Sequence, residues 1–449
     1  MRGKRSKKEF YSNFLSIGLP LVVQQFMTSS LNFVDNVMMG KLGAEYIAGV
    51  GFANNIYRIQ DICLFGICGG MGVFISQYHG KKDYEIIKKI IGTMIRYALT
   101  LSCLITAISI IFAEQIIGLF TVDKIAFDIG VSYLKLASIS YIFSSIGFAL
   151  SFSLRCIGKT KVPMMASVVG IILNIILNYI LIYGKLGFDP MNERGAAIAT
   201  IIARAAQAMV VIYLIYIYDY GIKDKINKYL GLSKELLKEI IKVATPIFFT
   251  EVFWVCGTVA LSIAYSRLGT GEAASIQIAD IVFSIAAIVF MGVSNATSVI
   301  IGKSIGSGKK KLAIIHSQRS FKLAIIFSLV CVGVVQLLVK PVLSLYLLSP
   351  EVYNMAYLTL RVFGMAIFFK LINWTILIGI LRAGGDTKIA FYLDTMPLYC
   401  YAIPVAFIGL YFKVPVYILV GIVNLEEVIK LYFSIKRYTS MKWVNDITV

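Results

Sequence analysis

Long apolar runs alternate with short polar gaps from residue 13 to residue 435. A helix needs about 20 apolar residues to cross about 30 Å of hydrocarbon. That length places spans near 13–38, 46–75, 91–113, 131–154, 163–183, 196–218, 240–265, 274–301, 318–345, 354–380, 389–411 and 414–435. The pattern predicts an all-α integral membrane protein with twelve transmembrane helices.

Composition agrees with this reading. The chain is 58% hydrophobic and 15% charged, against about 25% charged residues in a soluble domain. The net charge of +19 suggests nucleic acid only until its placement is considered. Lys and Arg fall in the gaps between apolar runs, so the expected partners are membrane lipids and a small molecule, with no nucleic acid. If the N-terminus is cytoplasmic, the inner segments hold 28 basic residues, including four in 430–442, and the outer loops hold 7. This bias puts both termini inside, and twelve spans satisfy it. The opening MRGKRSKKEF leads into a full span without a small-residue cleavage site, which reads as a cytoplasmic tail. The seven cysteines lack metal-ligand spacing and read as reduced thiols.

The second half repeats the first at an offset of about 226. IGLPLVVQQF (17–26) lies over VATPIFFTEV (243–252), matching Pro20 with Pro246 and Gln25 with Glu251. KLG (41–43) lies over RLG (267–269), SQYHG (76–80) over GKSIG (302–306), and LRCIGKTK (154–161) over LRAGGDTK (381–388). Six spans return the chain to one side, so the halves are parallel repeats about an axis along the membrane normal. The sequence divides into a six-helix lobe at 1–220, a cytoplasmic linker at 221–242 and a second six-helix lobe at 243–449.

These residues resemble the multidrug and toxic compound extrusion family over nearly the whole chain. The resemblance rests on the Pro20 and Pro246 helices, Asp35 in NFVDNVMMGKLG, SQYHGKKD (76–83), the two LR-x-x-G-x-TK loops, LNIILNYILIYGKLG (173–187) and GAAIAT (195–200). It implies a V-shaped exporter that couples outward movement of organic cations to inward H⁺ or Na⁺, with no other cofactor.

Asp35 is the leading candidate for coupling, as the only formal charge in its span. An intramembrane carboxylate is costly unless paired or solvated, and by default marks function; an Asp solvated at the outer interface is the alternative. Asn174 and Asn178 share one helix face. By a 1.5 Å rise, Asn178 and Thr200 reach similar depths in the outer half. A pocket of Asp35, Asn174, Asn178 and Thr200 with Tyr141 is therefore expected. The resemblance points to the same positions, although family members often carry Asp where Asn178 stands. Interhelical hydrogen bonding explains the Asn pair equally well.

Other polar residues suggest a substrate cleft. Glu251 and Lys370 have similar calculated depths, so a contact between them is expected, as a coupling site or a structural ion pair. The resemblance implies that some family members use a carboxylate in each of these spans as a sodium site; here Glu251 is kept, but the second span has Lys370 and no Asp until Asp386, which weakens a shared sodium site. Arg58 and Asp61, three apart, are expected to screen each other beside Asn54. Asp280 is the repeat partner of Asn54. Trp254 is one of several aromatics able to stack on a cation.

GKSIGSGKKK (302–311) fails the phosphate-loop pattern, because Thr297 and Lys310 stand where Gly and Ser or Thr are needed. His79 and His316, the only histidines, form no metal site with nearby cysteines. The expected function is cation-coupled export of organic cations, drugs or metabolites through alternating access, by a non-enzymatic monomer. The setting is a bacterial plasma membrane, as the Ile and Lys bias suggests. A lipid-linked oligosaccharide flippase of the same superfamily is the alternative, and Arg58 and Lys370 lean towards it. The sequence leaves H⁺ against Na⁺ open, with the lone Asp35 favouring H⁺.

Overall fold

The structure, a computed structural model, describes residues 2–346 and 348–448. Every regular element among the described residues is helical. The first half comprises α1 (Arg2–Gly40), α2 (Ala44–Lys81), α3 (Tyr84–Ile111), α4 (Ala113–Gly118), α5 (Lys124–Ala137), α6 (Ser140–Cys156), α7 (Lys161–Tyr183) and α8 (Asn192–Tyr218). The second comprises α9 (Lys234–Ser266), α10 (Thr270–Gly306), α11 (Lys310–Leu343), α12 (Pro350–Trp374), α13 (Thr387–Pro397), α14 (Ile403–Tyr411), α15 (Val416–Val423) and α16 (Leu425–Thr439). A π-helical stretch, Thr375–Arg382, continues α12, and another, Leu398–Ala402, joins α13 to α14.

Each apolar run of the sequence falls on one helix or on a broken one. Ten helical stretches among the described residues are long and apolar enough to cross a membrane. The pair α5–α6, bent by 52°, makes an eleventh. The run at 414–435 is split at Asn424, whose side-chain amide donates to the Val420 carbonyl at 2.8 Å. Asn competes for backbone partners in this way. Beyond the break, α16 carries Glu426, Glu427 and Lys430, all buried. The expectation that Lys430 is a cytoplasmic loop charge is therefore corrected: it is 5% exposed and ion-paired. Large apolar side chains elsewhere face outward, among them Leu104, Met209, Leu329 and Leu337, as a lipid-facing surface requires.

The described residues form two compact units. One comprises Leu19–Ile75 and Asp83–Ile240; the other comprises Met1–Gly18, Ser76–Lys82 and Ile241–Val449. In the first, residues after α8 run through a single 3₁₀ turn, Ile226–Tyr229, which packs on α3. Lys88 bonds Asp224 at 2.7 Å and Glu85 at 2.9 Å. The hydrogen bond from Lys88 holds the Asp224 carboxyl below its ordinary value, helped by the backbone N–H of Lys225.

The repeat is visible in the backbone. In LRCIGKTK, Gly158 has φ 78° and the Lys159 N–H donates to Leu154 O at 2.8 Å. In LRAGGDTK, Gly385 has φ 79° and the Asp386 N–H donates to Leu381 O at 3.0 Å. Both are Schellman-type endings, where a left-handed residue closes the last turn and Gly bears no Cβ penalty.

Within the second unit, the ends of α2 and α10 cross at glycine. A Cβ at Gly306 would run into the carbonyl of Gln77, with Gln77 Cα only 2.7 Å away. One at Gly80 would meet Lys303 O and lie 2.7 Å from Ser307 N, and one at Gly302 would lie 2.7 Å from Ser76 Cβ. The obstructions at Gly80 and Gly306 include backbone, which cannot rotate away. Gly306→Ala is therefore expected to destabilise the protein by about 1–3 kcal/mol, the usual cost of overpacking. Gly333→Ala, with open space around its Cβ, is expected to be neutral or slightly stabilising because Ala favours helix. Thermal unfolding in detergent distinguishes them; equal midpoints would contradict the packing argument.

Candidate functional site

The first unit holds a cavity of about 400 Å³ lined by polar residues from six helices. α1 supplies Asn32, Asp35 and Asn36; α2 supplies Asn54, Tyr57, Arg58 and Asp61; α5 and α6 supply Tyr133 and Tyr141; α7 and α8 supply Asn178, Thr200 and Arg204. The contacts of α8 with α5, α6 and α7 bring the last three walls together.

One side of the cavity is a hydrogen-bonded chain. Asn178 Nδ2 donates to Asp35 Oδ1 at 2.8 Å and to Asn174 Oδ1 at 3.1 Å. Asn174 Nδ2 reaches Thr200 Oγ1 at 3.5 Å, and Thr200 donates to the Ala196 carbonyl at 2.9 Å. Asn174 and Asn178 are buried and Asp35 is half-buried. The expected cluster of Asp35, Asn174, Asn178 and Thr200 is therefore contiguous. Tyr141 lies on the same cavity, 5.7 Å from Tyr57 between ring centroids. Asn178 Oδ1 is buried without a donor, so the cluster retains an oxygen able to meet a cation.

Arg204 completes the site and is not among the residues singled out from sequence. Its guanidinium lies 5.4 Å from the Tyr57 ring centroid and donates to Gln207 at 3.2 Å. Its charge acts on both Asp35 and Asp61. Its sequence signal was the i, i+4 spacing from Thr200, which puts both on one face of α8.

Several expected pairings are corrected. No ion pair joins Arg58 to Asp61 among the described residues. Asp61 instead lies in the field of Arg204 and Arg155, because other helices bring those charges closer than its own helix does. Glu251 pairs with Arg382 at 2.9 Å rather than with Lys370. The π-helical stretch between Lys370 and Arg382 changes the helix phase that a uniform rise assumes. Lys370 is held over the rings of Phe283 and Phe363, at 5.2 and 5.0 Å, and acts on Asp280. Trp254 is 41% exposed and does not line the cavity of the first unit. Arg155 donates to Gln24 Oε1 at 3.0 Å, as Arg382 does to Glu251, so the contact in the first repeat falls one residue before Gln25, the residue aligned with Glu251. The same arginine of each LR-x-x-G loop thus ties down the same helix of its repeat.

Residues 20–180 and 246–408 match the MatE family model, covering most of the chain in two matching halves. The chain belongs to the MatE family. Its similar relatives include two proteins named "Probable multidrug resistance protein NorM". That of Thermotoga maritima is 23% identical, with 90% of this chain and 87% of the relative covered. That of Idiomarina loihiensis is 27% identical, with 87% and 84% covered. Among solved structures, the Vibrio cholerae MATE transporter VcmN in the bent form superposes with a TM-score of 0.87 at 19% identity, covering 98% of this chain and 100% of that one. A MOP superfamily transporter from Pyrococcus furiosus gives 0.85 at 19%, covering 96% of each. MatE proteins are transporters, not enzymes, and the helical fold of this member is theirs.

Proposed function

We propose that this MatE protein is a secondary exporter of organic cations, drugs or metabolites, driven by inward H⁺ or Na⁺ at Asp35. The observation that carries this reading is the Asn178–Asp35 hydrogen bond at 2.8 Å on the wall of a polar cavity. An intramembrane carboxylate with a neutral partner alternates between protonated and ionised states without breaking an ion pair. Proton coupling needs one such carboxylate, whereas a sodium cage needs several fixed oxygens, so H⁺ is the favoured ion. The drug-resistance names of the relatives support export as the direction. Asn174, Asn178, Thr200 and Tyr141 position Asp35; Asn54, Arg58 and Asp61 line the substrate path. Alternating access of the two units, cytoplasmic termini, a bacterial plasma membrane and a monomeric state belong to the same reading.

A second reading, a flippase for a lipid-linked oligosaccharide, draws on one observation. Arg58 is exposed on the cavity and has no ion pair among the described residues, which suits an anionic head group. Reconstituted protein separates the two. The exporter reading expects efflux of a fluorescent organic cation driven by an imposed pH or sodium gradient, and near-complete loss of that coupling in Asp35→Asn. No efflux under either gradient would reject it in favour of the flippase.

A further inference from the structure

The second unit holds a buried ionic cluster apart from the cavity described above. Lys430 Nζ lies 3.0 Å from Asp394 Oδ1, 3.6 Å from Glu427 Oε1 and 3.9 Å from Glu426 Oε1. The side chains of Glu426, Glu427 and Lys430 keep 9%, 7% and 6% exposure. Asn373 of α12 fixes Glu427, donating to its carboxylate at 2.8 Å and to its backbone carbonyl at 2.9 Å. Three carboxylates thus share one ammonium.

Two further observations point to a missing partner. Glu426 Oε2 is buried and has no hydrogen-bond donor. Its other oxygen reaches Lys430 only at 3.9 Å, beyond hydrogen-bonding distance. Asn373 is fully buried, and its Oδ1 also lacks a donor. A buried acceptor without a donor is costly, and a buried carboxylate that shares one ammonium with two others is more so. Among the described residues no three His, Cys, Asp or Glu side chains are grouped to hold a metal ion. The cation that removes the Glu426 deficit is a proton, which neutralises its carboxylate and turns one of its oxygens into a donor.

We propose that Glu426 is a proton-exchange site of the second unit, with Lys430 and Asn373 as positioning residues. The proton comes from water and returns to it; only the carboxyl O–H bond forms and breaks. The charged and titratable groups that face Glu426 are accounted for element by element. Its own helix brings Glu427 and Lys430, α13 brings Asp394, α12 brings Lys370, and α9 brings Tyr265. Asp280 of α10 shares the fields of Lys370 and Tyr265. α15 and Leu398–Ala402 carry no formal charge, and Arg382 of Thr375–Arg382 is occupied by Glu251. Acids outnumber bases around Glu426, so the proton is the balancing charge. The site stands apart from Asp35 and does not depend on which substrate the protein exports.

The test is infrared difference spectroscopy of the purified full-length protein between alkaline and acid pH, with a pH-dye count of protons taken up. Wild type is expected to show a protonated-carboxyl C=O band in acid that disappears on alkalinisation. Glu426→Gln is expected to lose one component of that band and take up one proton fewer, whereas Asp35→Asn keeps that component. If Glu426→Gln does not fold, Glu426→Asp serves, and the band is expected to persist at a shifted frequency. An unchanged band and proton count in Glu426→Gln, or an unshifted band in Glu426→Asp, would overturn the proposal. Loss of the band in Asp35→Asn but not in Glu426→Gln would do the same while leaving the exporter reading intact.

Discussion

Lys430→Met is expected to lower stability by about 3–5 kcal/mol, the range for removing one partner of a buried ion pair. Methionine fills much the same volume, so the loss is electrostatic rather than a cavity. Asp394, Glu426 and Glu427 would be left facing one another around a thioether, with their mutual repulsion unscreened. A surface salt bridge is worth at most about 1 kcal/mol, but Lys430 is only 5% exposed, so its charge is little screened by solvent. Asp394→Asn in the same chain removes the carboxylate nearest Lys430 and is expected to recover part of the loss, since the two residues are directly coupled. Thermal midpoints in detergent for the single and double variants form the check. A Lys430→Met midpoint equal to wild type would mean that the cluster is hydrated and cheap.

Trp443→Ala is expected to cost a comparable amount, about 3–5 kcal/mol, the range for truncating a buried aromatic. Trp443 is fully buried although it lies in the segment after the last helix. Its indole N–H donates to the Tyr438 carbonyl at 3.0 Å, and its ring stacks on Tyr438 with centroids 6.2 Å apart. Around it are Ile380, Leu381 and Ala383, at and just beyond the end of the π-helical stretch that continues α12. It is also the anchor of a short network. Asn445 N–H bonds Gly384 O, while Gln77 donates to Ala383 O and Asn445 O and accepts from Ile447 N–H. Removing the indole is expected to free residues 441–448, so proteolysis should reach the tail before the protein melts. A protected tail and an unchanged midpoint would show that the hydrogen bonds suffice without the ring.

The sequence displayed these features unevenly. Apolar run length gave the helices, and Pro20, Pro246 and the two LR-x-x-G-x-TK loops gave the repeat, because these signals are local. The grouping of Asp35 with Asn174, Asn178 and Thr200 was legible from the similar depths of Asn178 and Thr200 along their helices together with the resemblance, which points to the same positions. Depth counting failed for Lys370, where a π-helical stretch intervenes between it and Arg382. The repeat alignment set Gln25 over Glu251, and the Arg155 contact falls one residue away, on Gln24. The Lys430 cluster was hidden for another reason. Three charges in five residues at a helix end look like a cytoplasmic face, and only the packing of α16 against α12 and α13 reveals that the face is covered.

The glycine crossing of α2 and α10 carries an evolutionary consequence. Its two segments, 76–80 and 302–306, are copies of one another. The copies touch reciprocally: Gly80 meets Lys303 and Gly306, Gly306 meets Gln77, and Ser76 meets Gly302. That is the form of an isologous interface, in which one patch binds its own duplicate. A half-length ancestor bearing a single copy would already have been self-complementary there. If the two halves arose by fusion, that contact is kept as an internal joint, and each glycine is constrained by backbone of the other copy.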